Sequence, residues 1–333
     1  TYDFTGIPSN FSTITFALHI LFVNTPPYFL FNQSTLNQST LFLDENQCVD
    51  SACVFHSFIG SISKGPFGVG QGPKGELWDE SDQSLTFQMQ LEGGDSALFF
   101  EGPNLITGDM YSSQTVELNL TLARFQNGNT SFRVWLEDNG GNIRNGSNMY
   151  MMHFMVRVLE VNQPPVFNLS TNNVTVVESM AVNEILLFQG FAYVVTLGPD
   201  YLNITNENNQ SVTFTCILVQ GNPALFSLHP TISVLNKTGT LQFALAPFQN
   251  GNATFSVSLR DDGGTDRGGH DTSLANLSFS ITVMPQNQPP VFNLSQYDVF
   301  VNETSLSNQT VHLEFASVQS LGPLNPAVHD EDT

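Results

Sequence analysis

The residues of this sequence with the plainest chemical meaning are asparagines in the triplet Asn-x-Ser/Thr. Without proline at x, this triplet is the acceptor sequence for N-linked glycans. It occurs sixteen times, at Asn10, Asn32, Asn37, Asn119, Asn129, Asn145, Asn168, Asn173, Asn203, Asn209, Asn236, Asn252, Asn276, Asn293, Asn302 and Asn308. With 32 Asn and 58 Ser plus Thr among 333 residues, chance gives about six. The excess predicts dense N-glycosylation in a eukaryotic secretory route.

Several of these triplets have an apolar middle residue, as in Asn119-Leu120-Thr121 and Asn276-Leu277-Ser278. Side chains alternate between the two faces of a strand, so the Asn and the hydroxyl would share one face while the middle residue enters a core. We therefore expect these asparagines to be exposed on strands and accessible to glycan attachment.

Cysteine and histidine offer little further chemistry. Cys48 and Cys53 are five residues apart and could form a disulfide within one loop of a secreted protein, although two free thiols fit the sequence equally well. Cys216 lies in the apolar phase of an alternating segment, which predicts a place in a core. The seven His have neither metal-ligand spacing nor a repeated position, and no phosphate loop, nucleophile elbow or zinc motif occurs. The sequence therefore predicts a protein that is not an enzyme.

The acidic charge of the chain limits the kinds of binding partner that it can have. Nine Lys and Arg stand against thirty Asp and Glu, a net charge of −21, and no basic stretch offers a surface for nucleic acid or anionic membrane. Such acidity suits divalent cations or basic partners, and it also simply keeps an extracellular surface soluble. The best apolar run, at 14–23, is about half the length of a membrane span.

Internal repetition is the main organising signal. The string NTPPYF at 24–29 returns as NQPPVF at 162–167 and again at 287–292. Between these markers, RFQNGNTSFRVWLEDNGG (Arg124 to Gly141) matches PFQNGNATFSVSLRDDGG (Pro247 to Gly264). Two matches in the same order indicate a duplicated domain.

The repeats define the predicted domain boundaries. We expect the last strand of a preceding repeat at 1–23, full repeats at 24–161 and 162–286, and the beginning of a third at 287–333. Within a repeat, apolar residues alternate with polar ones and are separated by Gly-, Asn- and Asp-rich turns, which is typical of half-buried strands. About seven strands fit into each repeat, so the sequence predicts an all-β chain of tandem immunoglobulin-like sandwiches in a linear array.

The repeat resembles a cadherin-type repeat. NQPPVF stands where that family has Asn-Asp-Asn-x-Pro-x-Phe, GNPALFSL with KTGTLQF matches its middle, and LRDDGG with SLANLSFSITV matches its last two strands. It is also similar to the cadherin-like repeats of giant surface proteins of microbes and algae.

The resemblance implies calcium sites where successive repeats join. One site would use Glu45, Asn162 and Asp261; a second would use Glu178 and Asn287, and Asp138 would serve the junction at Asn24. However, Gln163 and Gln288 replace the family's linker Asp, and APFQNGN replaces its Leu-Asp-Arg-Glu. Calcium requires several carboxylates, so we expect weak binding at most. The DDGG and DNGG turns are explained equally well as tight hairpins.

Three functions are compatible with these features. The first is a structural subunit of an extracellular filament, sheath or flagellar hair of the mastigoneme kind, which associates with itself or with other surface glycoproteins. The second is a cell-adhesion or receptor ectodomain, and the third is an accessory array of a carbohydrate-active enzyme. The segment Asp50–Thr107 is poor in glycan acceptor triplets and contains Phe55, Phe58, Phe67 and Trp78, so we expect it to form the contact surface.

Overall fold

The computed structural model describes residues 14–65, 80, 82–108, 115–199, 206–303 and 314–322. The chain divides into two compact units, Thr1–Glu160 and Val161–Thr333. Both units are built from β-strands that alternate buried and exposed side chains. The predicted all-β class is confirmed by this architecture.

Eight strands and two one-turn 3-10 helices form the described part of the first unit. The strands are β1 (Tyr28–Phe31), β2 (Thr40–Asp44), β3 (Cys53–Ser63), β4 (Leu85–Gly94), β5 (Phe99–Thr107), β6 (Val116–Leu122), β7 (Gly128–Asp138) and β8 (Met149–Leu159). The 3-10 helices span Ser96–Leu98 and Ile143–Asn145.

These strands form two four-stranded sheets. Sheet A has the order β1-β3-β6-β5, and sheet B has the order β2-β8-β7-β4. All pairs are antiparallel except β2 with β8, which is parallel. Alternate residues of each strand enter the space between the sheets, where Phe58 of sheet A contacts Phe154 of sheet B with ring centroids 5.0 Å apart.

The second unit repeats this arrangement. Its strands are β9 (Val166–Leu169), β10 (Asn173–Val177), β11 (Ile185–Thr196), β12 (Val212–Gly221), β13 (Phe226–Leu235), β14 (Thr238–Leu245), β15 (Gly251–Asp261) and β16 (Leu277–Met284), with 3-10 helices at Pro223–Leu225 and Asp266–Gly268. Sheet C has the order β13-β14-β11-β9, and sheet D has the order β10-β16-β15-β12. Phe191 and Phe279 meet between them with centroids 4.9 Å apart.

The structure corrects the predicted number of strands. Each unit has eight described strands rather than seven, because the first strand is divided between the sheets. In the first unit β1 pairs with β3 in sheet A, and after a turn β2 pairs with β8 in sheet B. Gln38 and Ser39, just before β2, have φ of 48° and 62°. Such left-handed residues redirect the chain without disturbing the alternation that the sequence shows.

A further pair of strands lies near the end of the chain. β17 (Val291–Leu294) pairs antiparallel with β18 (Ala316–Ser320). β17 follows the third Pro-Pro marker, as β1 and β9 follow the first two. This pair of strands lies where the sequence predicts that a third repeat begins.

Candidate functional site

A buried cluster of one carboxylate and two amides lies at one end of the first unit. Asn24, just before β1, donates from Nδ2 to Oδ1 of Asp138 (2.9 Å) and to the carbonyl of Ser147 (2.8 Å). Its own Oδ1 accepts from Nε2 of Gln83, at 2.6 Å. All three of Asn24, Gln83 and Asp138 are buried, so the cluster joins the chain segments that precede β1 and β4 to the end of β7.

The second unit contains the same cluster. Nδ2 of Asn162 donates to Oδ1 of Asp261 (2.8 Å) and to the carbonyls of Gly264 (3.0 Å) and His270 (2.9 Å). Nε2 of Gln210 donates to Oδ1 of Asn162 at 2.7 Å. We call these two groups the Asn-Gln-Asp clusters.

The glycine turns make room for these clusters. In each unit the second residue after the aspartate, Gly140 or Gly263, donates its backbone N–H to the aspartate Oδ1, at 2.8 and 3.0 Å. A Cβ on Gly140 would lie 2.1 Å from Oδ1 of Asn24, and a Cβ on Gly263 would lie 2.0 Å from Oδ1 of Asn162. The DNGG and DDGG sequences thus form turns and also admit a buried amide.

Burial has the largest effect on the pKa of Asp261, the carboxylate of the Asn-Gln-Asp cluster in the second unit. Desolvation raises the pKa of Asp261 above its ordinary value, against the opposing effect of the hydrogen bonds from Asn162 and Gly263. Oδ2 of Asp261 and Oε1 of Gln210 have no hydrogen-bond partner among the described residues, and the same holds for Oδ2 of Asp138 and Oε1 of Gln83.

A second kind of cluster surrounds the glutamate that follows β2 or β10. Oε2 of Glu45 accepts from Nδ2 of Asn127 at 2.9 Å, and Oε2 of Glu178 accepts from Nδ2 of Asn250 at 3.0 Å. Oε1 of Glu178 also accepts from Nε2 of Gln288 at 3.2 Å. Glu45 and Glu178 are both buried, and we call these groups the Glu–amide clusters.

The structure brings together some of the residues predicted to hold calcium. Asn162 contacts Asp261, and Asn24 contacts Asp138. Glu45 belongs to the first unit, where its described bond is to Asn127. Within the second unit Glu178 is buried, whereas Asn287 is exposed.

Four residues of these clusters were missed from the sequence. They are Gln83, Asn127, Gln210 and Asn250. The signal was present, since DQSLTF at 82–87 parallels NQSVTF at 209–214, and QNGN recurs at 126–129 and 249–252. A polar residue repeated at equivalent positions of a duplicated domain indicates a buried partner as readily as a surface preference.

The asparagines of the acceptor triplets lie mainly in solvent. Among the thirteen that the structure describes, eleven are exposed, and Asn32 and Asn119 are half-buried; Asn10, Asn203 and Asn308 lie outside the described residues. The expectation for Asn119 is wrong, because Thr121, the hydroxyl residue of its triplet, is buried and Oδ1 of Asn119 is also buried without a described partner. Asn276 and Ser278 are both exposed on either side of Leu277, as expected.

The outer faces of sheets B and D differ in chemistry although their strands correspond. We call the outer face of sheet B the B face and that of sheet D the D face. Most side chains of the B face are large, namely Phe42, Gln88, Gln90, Glu92, Arg133, Trp135, Met149, Met151, His153, Met155 and Arg157, whereas Thr86 and Ser131 are small. The D face presents small hydroxyl side chains, namely Thr175, Thr213, Thr215, Thr254, Ser256, Ser258, Ser278, Ser280 and Thr282.

The acceptor triplets follow the same division. Asn173, Asn252 and Asn276 all lie on the D face or at its margin and are exposed. The B face carries Asn129, at the beginning of β7. Exposed apolar side chains of the D face are Ile217 and Val219 on β12, Val177 on β10, and Met284 at the end of β16.

The predicted contact surface at 50–107 is corrected in part. Phe58 is 0% exposed and belongs to the core, and Phe55 packs against that core. Both positions follow from β3 being an inner strand of sheet A. Phe67 and Trp78 lie outside the described residues.

The cysteines have different environments. Cys48 and Cys53 are joined by a disulfide, which is typical of a protein that folds in an oxidising compartment. Cys216 is free and packs against the second core. Burial raises the pKa of the Cys216 thiol to about 11, so this thiol is unreactive near neutral pH.

Comparison with known proteins gives distant structural likeness. The chain is similar to human mucin-like protocadherin EC1-2 (16% identity, TM-score 0.37, covering 78% of this chain and 99% of that one). It is similar to mouse cadherin-23 EC22-24, with 15% identity and a TM-score of 0.33 over 64% of this chain and 57% of that one. It is also similar to an endo-fucoidan hydrolase of glycoside hydrolase family 107, with 14% identity and a TM-score of 0.23 over 79% of this chain and 29% of that one. No family model matches the chain, and no curated protein is significantly similar to it.

The chain is therefore a tandem of two β-sandwich units with distant similarity to cadherin ectodomain repeats. It spans about half the length of the cadherin-23 fragment. No helix among the described residues is long and apolar enough to cross a membrane.

Proposed function

We propose that this chain is part of an extracellular, N-glycosylated adhesion ectodomain that acts by binding and not by catalysis. The observation that carries the proposal is the contrast between the B face and the D face. Corresponding positions hold Met151 and Asn276, or His153 and Ser278, so a duplicated domain has one face suited to glycans and one suited to contact. Exposed Asn residues and the Cys48–Cys53 disulfide support a secreted or cell-surface location.

A second copy of the chain is the partner that the B face fits best. The face presents methionine, phenylalanine and tryptophan side chains, which are suited to an interface core. Arg157 is exposed on it and has no ion pair with any described residue. The chain has a net charge of −21, so acidic side chains of another copy would attract Arg157.

The test places a glycan on the B face. The double variant Met151→Asn, His153→Ser creates an acceptor triplet where the second unit has Asn276-Leu277-Ser278. The matched control Met151→Asn, His153→Ala removes the same side chains without creating a triplet. Self-association of the chain secreted from a eukaryotic host is measured by sedimentation velocity and by aggregation of coated beads.

We expect the glycosylated double variant to lose self-association and the control to lose part of it. Removal of a D-face glycan by Asn276→Gln should leave self-association unchanged. Wild-type chain that stays monomeric at the highest concentration reached, or a glycosylated variant that associates as well as wild type, would reject the proposal.

Glycan occupancy is tested separately by glycopeptide mass spectrometry. We expect Asn252, Asn276 and Asn293, which are exposed, to be occupied, and Asn119, whose Oδ1 is buried, to be largely unmodified. Fewer than about a third of the sixteen triplets occupied would contradict dense glycosylation.

A filament subunit is the second candidate. Acceptor triplets recur at equivalent positions, Asn129 with Asn252 and Asn168 with Asn293, as expected for a repeated surface along a polymer. Open-ended particles that grow with concentration would favour the filament, whereas a closed dimer would favour adhesion.

A further inference from the structure

Within each unit, the described buried carboxylates of the two kinds of cluster are surrounded by amides and not by the further carboxylates that calcium requires. Calcium in proteins takes six to eight oxygen ligands, several of them carboxylates. The structure contains no group of three or more His, Cys, Asp and Glu among its described residues that could hold a metal ion. The Asn-Gln-Asp and Glu–amide clusters instead surround single acidic side chains with amides.

Amide N–H groups donate hydrogen bonds to both carboxylate oxygens of Glu178. Asn250 donates to Oε2 at 3.0 Å, and Gln288 donates to Oε1 at 3.2 Å. Gln288 is only 3% exposed, and its Nε2 also donates to the carbonyl of Gln286 at 2.8 Å. The nitrogen of an amide has no lone pair to offer a cation, so the atoms that face Glu178 satisfy the carboxylate as donors and are not metal ligands in this orientation.

Backbone bonds fix the glutamate in the same place. The N–H of Glu178 donates to the carbonyl of Met284 at 2.9 Å, and the N–H of Glu45 donates likewise to Leu159 at 2.9 Å. Each bond continues the parallel pairing of β10 with β16 or of β2 with β8. The Glu–amide cluster thus joins the end of the divided first strand to the end of the last strand.

We infer that these clusters are clamps in which amide donors stand where the cadherin resemblance places calcium ligands, and that they hold the end of each sandwich without metal. Gln288 is a positioning residue of this kind. Gln163, at the corresponding place in the preceding marker, makes the same short-range bond, from Nε2 to the carbonyl of Val161 at 2.9 Å. On this inference, Gln at the position of the family's linker Asp supplies a hydrogen-bond donor to a protein acceptor in place of a carboxylate ligand to calcium.

The test compares wild type with Gln288→Glu and Gln286→Glu in the full 333-residue chain, each in 2 mM calcium and in EGTA. Both variants add one negative charge, but Gln286 is exposed. Both tryptophans, Trp78 and Trp135, lie in the first unit. The second unit is therefore followed by hydrogen exchange of peptides covering 173–178 and 277–284.

We expect wild-type exchange, and a Tm measured by calorimetry, to be the same with calcium and with EGTA. Gln288→Glu places a second carboxylate beside Glu178, so its peptides should exchange at least about tenfold faster in EGTA, with calcium restoring part of the protection. Gln286→Glu should behave as wild type. Gln288→Met removes the donor without adding charge and should exchange faster regardless of calcium.

Loss of protection in wild type on adding EGTA would overturn the inference, as would stoichiometric binding of calcium by wild type in calorimetric titration. Equal behaviour of Gln288→Glu and Gln286→Glu would overturn the role of Gln288. If Gln288→Glu does not fold, the chelator response of wild type and the exchange of Gln288→Met decide the question. None of these outcomes depends on self-association through the B face.

Discussion

The B face and the D face are corresponding surfaces of a duplicated domain, yet most of their side chains differ in size and chemistry. Trp135 stands where the second unit has Ser258, Met155 where it has Ser280, and Phe42 where it has Thr175. On the other side of the same strands, Phe154 and Phe279 are both buried in the two cores. Packing therefore constrains the inner side of each strand, whereas the residue types on the outer side differ between the two units.

The Asn-Gln-Asp clusters follow the inner pattern. Asn24, Gln83 and Asp138 match Asn162, Gln210 and Asp261, with hydrogen bonds that agree within 0.1 Å for the two side-chain pairs. A buried polar group without its partner destabilises the fold, so a change that removes one of these hydrogen bonds should destabilise the unit that contains it.

The largest effect is expected for alanine at the glycines beneath the Asn-Gln-Asp clusters. In Gly263→Ala the Cβ would lie 2.0 Å from Oδ1 of Asn162 and 2.5 Å from Nε2 of Gln210. Displacing these side chains breaks their buried hydrogen bonds, so we expect a loss of about 2–4 kcal/mol in the free energy of unfolding, measured by urea denaturation.

Gly140→Ala should cost the first unit a similar amount, since its Cβ would lie 2.1 Å from Oδ1 of Asn24. Gly60→Ala is the control, because nothing lies within 4 Å of a Cβ there. A loss at Gly140 or Gly263 no larger than at Gly60 would show that the clusters do not contribute to stability.

A smaller effect, of opposite sign, is expected for Asp261→Asn. Burial raises the folded pKa of Asp261, so this group favours the native state below the ordinary aspartate pKa and loses that contribution as the pH rises through the folded pKa. Asparagine can keep the acceptor Oδ1 without the buried charge. We expect Asp261→Asn to gain stability relative to wild type as the pH rises through the range in which the folded carboxyl of Asp261 ionises.

Asp262→Asn is the matched control for this pH profile. Hydrogen bonds from Ser211 lower the pKa of the exposed Asp262, so its contribution is present above the unfolded pKa and is lost as the pH falls. The two variants should therefore show pH profiles of opposite sign in urea titrations. Parallel profiles would mean that Asp261 is not desolvated in solution.

The smallest effect on stability is expected from exchanging outer residues between the faces. Phe42 is 45% exposed and Met155 is 38% exposed, so Phe42→Thr and Met155→Ser, which introduce the residue types of the D face, should each change the free energy of unfolding by less than about 1 kcal/mol. Thermal unfolding measures this. A loss of several kcal/mol would place these side chains within the packed core and break the distinction between the faces.

Much of the fold could be predicted from the sequence, because alternation and repetition are local signals. The strings QNGNTSFRVWLED and QNGNATFSVSLRD indicate one inner strand twice, and β7 and β15 are found there. The division of the first strand could not be predicted, since it depends on pairing with β3 in one sheet and with β8 in the other, and both partners are distant in sequence. The burial of Asn119 and of Phe58 was missed for a related reason, as alternation assigns a residue to a face and does not say whether that face is covered.

The sequence by itself determined the β class, the duplication, the acceptor triplets and the acidic charge, because each is a property of composition or of short-range pattern. Only the tertiary structure decided that Asn127 and Asn250 donate to buried glutamates, that Gln288 turns its amide toward Glu178, and that hydroxyls gather on the D face while large side chains gather on the B face. These features join residues up to 110 positions apart. Contacts at that separation are set by strand order and register, and no local pattern encodes them.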